Sequence, residues 1–119
     1  MKSILIVDDQ ALLADAYSLE LTKAGSKVYI ANSGNEGLKL LVQYKPDIVL
    51  LEVLMPIMNG IEFLEEVRKI KPKITSKIIV LSNIDNDDLK RACAKLGVID
   101  FLHKFEYSPI KIGQYLSNI

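Results

Sequence analysis

The chain has 119 residues, enough for one domain with a proper core and short for two. Half of the residues are hydrophobic and a quarter charged, and no apolar stretch approaches the roughly 18 residues of a bilayer span, which excludes disordered and membrane-embedded classes. Lysine plus arginine balance aspartate plus glutamate at 15 each, which argues against direct contact with nucleic acid, and Cys93 and His103 stand alone, which excludes an internal disulfide and any cysteine-rich or multi-histidine metal centre.

In chain order, Met1-Lys2-Ser3 runs directly into a strand expected over Ile4–Asp8, leaving no room for a signal peptide, so a cytoplasmic location is expected. Leucine and alanine at helical spacing predict a helix from Ala11 to Ala24, stopped by Gly25. A strand follows over Lys27–Ala31. Ser33 with Glu36 makes a capping-box pattern for a second helix, which must end before Pro46. The apolar run Asp47–Glu52 reads as a strand, with turn signals at Met55-Pro56 and Asn59-Gly60 beyond it. Ile61, Leu64, Val67 and Ile70 then mark a helix closed by Pro72.

A fourth strand is expected over Lys77–Ser82. The helix after it starts near Asp85, has Asp87 and Asp88 in its first turn and ends at Gly97, with Leu89, Ala92, Cys93 and Leu96 on one face. Ile99–Leu102 reads as the fifth strand, and Ser108-Pro109 supplies a cap and a first-turn proline for the last helix. Cys93 is read as a small buried hydrophobe and His103 as a surface or edge residue. The lysine-rich stretch from Lys69 to Lys77 straddles Pro72 and reads as a solvated helix end and loop. Strands rich in continuous apolar runs alternate with helices, which predicts a doubly wound α/β sheet, all parallel, in one domain over residues 1–119.

Four polar positions follow these apolar runs: Asp8-Asp9, Glu52, Ser82 and Lys104. In a parallel sheet all four emerge at the carboxyl edge, where open α/β sheets bind ligands, and in the order 2-1-3-4-5 the first and third strands flank the topological switch point. Three carboxylates in that crevice repel one another unless a cation intervenes. Mg²⁺ suits them, being a hard ion that binds through one or two carboxylates plus waters and phosphate.

With these residues on the page, the chain resembles the receiver domain of two-component response regulators. The matching features are Asp8-Asp9, Glu52 followed by Met55-Pro56 and Asn59-Gly60, Ser82, Phe101 and Lys104, and the resemblance spans Met1 to Ile119. It implies a flavodoxin-like (βα)5 fold and Mg²⁺ held by Asp8, Asp9, Glu52 and the Leu54 carbonyl. It also implies a phosphate on the position of Glu52, with Ser82 and Lys104 as its partners in catalysis. Ser82 and Phe101 would form the switch that couples the site to the fourth helix, fifth strand and fifth helix. The implied partners are a histidine kinase or phosphotransfer protein and a downstream protein on that face, with a homodimer as a further option. Family members catalyse only their own phosphorylation and dephosphorylation.

Two departures stand out. The family usually follows its lysine with proline, whereas Phe105 comes next here and the first proline is Pro109, implying a longer loop. The acceptor position carries glutamate where the family has aspartate. The added methylene moves the carboxylate by roughly 1.5 Å, a carbon–carbon bond length, and a misplacement of about 1 Å can cost on the order of 100-fold in rate. A carboxylate also supplies one negative charge where a phosphate monoester carries about −1.5 to −2. The expectation is therefore a receiver with impaired phosphotransfer, in which Glu52, introduced by design or natural, acts as a partial phosphomimic or a block. The alternative is a degenerate receiver that works by contact, without phosphate. An enzyme such as a small phosphatase or flavin protein fits less well, since no glycine-rich phosphate loop or nucleophilic cysteine after a strand is present.

Overall fold

The computed structural model describes residues 2–119. Its elements run β1 (Ser3–Val7), α1 (Ala11–Lys23), β2 (Lys27–Ala31), α2 (Gly34–Tyr44), β3 (Ile48–Leu51), α3 (Gly60–Lys69), β4 (Lys77–Ser82), α4 (Asp87–Lys95), β5 (Asp100–His103) and α5 (Pro109–Leu116). The strands form one sheet in the order β2-β1-β3-β4-β5, every pair parallel, as the alternating pattern predicts.

Because strand side chains alternate between faces, each central strand feeds two cores. Leu5, Val7, Val49, Leu51 and Val80 face Phe63, Leu64 and Leu41 from α3 and α2. Ile4, Ile6, Ile48, Leu50 and Ile79 face Ala14, Tyr17 and Leu21 of α1 and Ile112 and Leu116 of α5. Burial on both faces is the physical reason that these strands read as continuous apolar runs.

Most helix signals act as the sequence suggests. Ser33 accepts a hydrogen bond from the Glu36 N–H, and Ser108 caps α5 with Pro109 at its start. Gly25 and Gly97 end α1 and α4 with φ of 96° and 95°, a backbone region that side-chain-bearing residues rarely adopt. Three details differ. The Glu36 carboxylate accepts from Asn32 N–H rather than from the cap residue itself, so the reciprocal half of the expected capping box is displaced by one residue. Helix α4 starts two residues after Asp85: Asn86 is the cap, accepting from Leu89 N–H, and Asp85 lies outside the helix, paired with Lys90. On α4 only Cys93 is fully buried, with Leu89, Ala92 and Leu96 partly covered.

Two expected strands included the acidic residue after their last apolar one, and the hydrogen bonds show why. The Asp8 N–H donates to the Ala31 carbonyl at 2.9 Å and the Glu52 N–H to the Val7 carbonyl at 2.9 Å. Lys104 N–H likewise donates to the Ser82 carbonyl at 3.1 Å. Asp8, Glu52 and Lys104 are thus each the first residue past a strand, still tied by their own amides to the neighbouring strand, whereas Ser82 is the last residue of β4.

Candidate functional site

That one-residue overhang positions three side chains. The backbone amide fixes the Cα at the sheet edge, while the side chain is free to turn toward the crevice between β1 and β3. Asp8, Glu52 and Lys104 do so and are buried at 4%, 6% and 7% exposure. Charged residues are buried this deeply almost only when they are paired. Here the Lys104 ammonium lies 2.8 Å from Asp8 Oδ2 and 2.7 Å from Glu52 Oε1, and it donates to Gln10 Oε1 at 3.1 Å.

The remaining carboxylate oxygens are also engaged. Asp8 Oδ1 accepts from Gln10 N–H at 2.9 Å, and Glu52 Oε2 accepts from Leu54 N–H at 3.1 Å. Among the described residues no buried side-chain polar atom lacks a partner. Burial raises the Asp8 pKa above its ordinary value, against the pull of its hydrogen bonds to Lys104 and Gln10. For Lys104, burial works against the charge, but the hydrogen bonds to Asp8 and Glu52 outweigh it, and its pKa is raised.

The Leu54 amide reaches the carboxylate because the segment after β3 turns sharply. Gly60 opens α3 directly against this segment: its N–H donates to the Val53 carbonyl at 3.0 Å, and a Cβ added there would lie 2.6 Å from Val53 Cα. Only glycine permits so close an approach. Asn59 and Glu62 close a full capping box at the same point, an arrangement that the Asn59-Gly60 turn signal hinted at without specifying.

The other expected residues stand apart from this cluster. Asp9 is exposed and Leu54 is half exposed, flanking the buried pair. Ser82 is fully buried at the end of β4, but its Oγ accepts only from Ile84 N–H, at 3.3 Å, and makes no hydrogen bond to Glu52. It is the hydroxyl of a local turn, while the cap of α4 is Asn86. Phe101 is partly buried on β5 with the Lys90 ammonium 5.7 Å from its ring centroid. Two carboxylates rather than three therefore converge, and among the described residues no cluster of three metal-ligating side chains forms.

Sequence reading missed two contributors. Gln10 supplies both a side-chain acceptor for Lys104 and an amide for Asp8. Asn83 accepts from Phe105 N–H at 3.1 Å, tying the loop after β4 to the loop after β5. The only available signal was adjacency to Asp8-Asp9 and to Ser82, which polar loop residues often have without a role.

Comparison with known proteins agrees with this fold. The description of the response regulator receiver domain matches residues 4–114. Similar solved structures include the chemotaxis protein CheY4 of Vibrio cholerae, 27% identical, with a TM-score of 0.90 over 100% of this chain and 98% of that one. A putative response regulator from Chloroflexus aurantiacus is 30% identical, with a TM-score of 0.84 over 98% of this chain and 95% of that one. A CheY-like receiver domain from Methanospirillum hungatei, 25% identical, gives 0.89 over 99% of this chain and 92% of that one. The doubly wound sheet and its acidic edge define a receiver-type module. The chain belongs to the response regulator receiver domain family, with the flavodoxin-like fold that this implies. Receiver domains generally bind Mg²⁺ at their phosphorylation site and interact with histidine kinases or phosphotransfer proteins. No helix of the described residues is long and apolar enough to cross a membrane.

Proposed function

We propose that this receiver domain is held by Glu52 in a state where the charge of the acceptor pocket is already satisfied, so that phosphotransfer is weak or absent. The observation that carries the reading is the 2.7 Å contact between Glu52 Oε1 and the Lys104 ammonium, formed beside the 2.8 Å contact to Asp8. The lysine that would meet an incoming phosphate pairs here with the carboxylate of a longer acceptor, which stands one methylene away from the place of the family's aspartate. Glu52 in this role is a phosphomimic of the lysine contact alone, because Ser82, the other proposed phosphate partner, is bonded only to its own turn.

The donor set fits Mg²⁺ in type, since every candidate ligand atom is a hard oxygen. Asp8 and Glu52 would hold the ion, with Asp9 and the Leu54 carbonyl beside them. When bound, it supplies positive charge for a phosphoryl group. The work of this chain's own residues is to orient that group: Lys104 anchors it, the Leu54 amide holds the acceptor carboxylate and the Ser82 hydroxyl would answer it. Ser82 and Phe101 then bias the surface formed by α4, β5 and α5, where a downstream protein binds. A contact module that never uses phosphate remains the second reading, favoured by the same complete pairing of Asp8, Glu52 and Lys104.

The test compares the chain with its Glu52→Asp variant, each incubated with Mg²⁺ and acetyl phosphate and weighed by intact mass spectrometry. The proposal expects phosphate on the variant and little or none on the unmodified chain. Equal uptake by the two overturns it, and no uptake by either selects the contact module.

A further inference from the structure

At the opposite edge of the sheet from the acidic cluster, an open groove of about 690 Å³ runs between the carboxyl ends of α3 and α4 and the segment 70–76. Its apolar part is Val67, Ile70, Ile74 and Leu96, and its charged part is Arg68, Lys71, Lys73 and Lys95, with no acidic residue among the lining. A smaller hollow on the other face of the same segment adds Lys45. The helix dipoles account for Arg68 and Lys95, which sit in the last turns of their helices. They do not account for Lys71 and Lys73, which lie in the loop beyond. Among the described residues, Lys71, Lys73 and Lys95 pair with no carboxylate, and the neighbouring Glu66 is taken by Lys69 at 3.2 Å. Arg68 donates one N–H to the Lys95 carbonyl at 3.2 Å, which fixes its guanidinium across the groove while its other donors have no protein partner.

We infer that this groove is a docking site for an acidic, partly apolar peptide segment of a partner protein, separate from the acceptor pocket. Charge complementarity selects carboxylates for the rim, and the aliphatic floor selects leucine-like side chains between them. Nucleic acid fits less well. The floor offers no aromatic surface on which bases stack, and the chain as a whole is neutral, so a long phosphate backbone would gain little beyond the groove. The acidic edge of a second copy fits less well, because Asp8 and Glu52 are buried and already paired with Lys104.

Fluorescence anisotropy tests the inference with three labelled probes: a short peptide of repeated Glu-Leu-Leu-Glu, its Gln-for-Glu counterpart, and duplex DNA of matched charge. The expected result is saturable binding of the glutamate peptide that weakens as salt is raised, with no binding of the glutamine peptide. The double variant Lys71→Glu, Lys73→Glu lowers that affinity by about tenfold or more, corresponding to at least about 1.4 kcal/mol, while Lys111→Glu on α5 leaves it unchanged. Should the charge-reversed variant fail to fold by circular dichroism, Lys71→Gln, Lys73→Gln replaces it with the same expectation. Absence of saturable binding, affinity unchanged in the double variant, or tighter binding of the DNA overturns the inference. So does self-association of the chain in sedimentation that the double variant abolishes, which would assign the groove to a second copy.

Discussion

The carboxyl edge of this sheet divides into two halves that behave differently. On the β1 and β3 side, one ammonium lies within 3.1 Å of oxygens from Asp8, Glu52 and Gln10, and every carboxylate oxygen is engaged. On the β4 and β5 side, the Ser82 hydroxyl makes a single 3.3 Å contact to its own turn, and Phe101 answers to Lys90 rather than to the pocket. The Glu52 carboxylate meets a lysine that is also paired with Asp8, whereas the hydroxyl on the neighbouring strand is left to the backbone. On the proposed reading, the charge-neutralising contact at Lys104 and the hydroxyl of Ser82, which a phosphate would join, are separable in this chain.

Removing the shared cation is the strongest way to break that comparison. Lys104→Met leaves Asp8 and Glu52 buried and unpaired, and taking one partner from a buried ion pair costs about 3–5 kcal/mol. Urea denaturation should show a loss of that size. A loss below about 1 kcal/mol, the range of exposed pairs, would mean that the acceptor half is open to water and no more closed than the switch half. Next in size is Gly60→Ala. Its Cβ would sit 2.5 Å from Val53 Cγ1 and 2.6 Å from Val53 Cα, so α3 must move away from the segment that follows Glu52. Overpacking of this kind costs about 1–3 kcal/mol. Because the displaced segment carries the Leu54 amide, the Leu54 N–H resonance should shift while that of Ile84 stays in place.

The switch half predicts smaller effects. Ser82→Ala removes one long hydrogen bond and leaves the Ile84 N–H without its partner, a loss of about 0.5–1.5 kcal/mol. If the halves are separable, the Lys104 side-chain resonances are unchanged in that variant. A clear shift at Lys104 would show that the hydroxyl is coupled to the acceptor half after all.

How much of this was legible follows from which forces write on sequence. The strands were readable because burial on both faces leaves uninterrupted apolar runs such as Ile48–Leu51, and the meeting of Asp8, Glu52 and Lys104 was readable because polar residues follow those runs at one edge of the sheet. The overhang that holds Asp8, Glu52 and Lys104 was not, since a residue whose amide completes a ladder looks like one more strand residue. The split within the site was equally hidden. Whether Glu52 meets Lys104 or Ser82 depends on a side-chain path of one or two ångströms, and strand-end position is the same for both. Gln10 was overlooked because its one signal, adjacency to Asp8-Asp9, is shared by many polar loop residues that have no role. The start of α4 was misplaced because Asp85, Asn86 and Asp87 all suit a helix start, and the geometry chose the amide of Asn86.

The smallest expected effect concerns how β5, which carries Phe101, is moored to α5. The Tyr115 hydroxyl donates to Asp100 Oδ2 at 2.7 Å, while Asp100 Oδ1 accepts from Phe101 N–H at 2.9 Å, so one carboxylate ties the helix to the strand at the residue preceding the aromatic. Burial, followed by the Asp100 carboxylate, pushes the Tyr115 pKa well above its ordinary value of 10.0. In the unfolded chain the phenol loses its proton near 10.0 while the folded chain still holds it, so the unfolded state binds fewer protons there and stability falls as pH rises past that value. Tyr115→Phe removes this dependence. Near neutral pH the variant is the less stable by at most about 1 kcal/mol, the worth of one partly exposed hydrogen bond. Above pH 10.0 the difference narrows, because the unmodified chain loses stability and the variant does not lose that share. Urea midpoints of the two chains across that range decide it: a gap that stays constant would mean that Tyr115 ionises as freely folded as unfolded, and that the mooring of β5 rests on packing against Tyr107 alone.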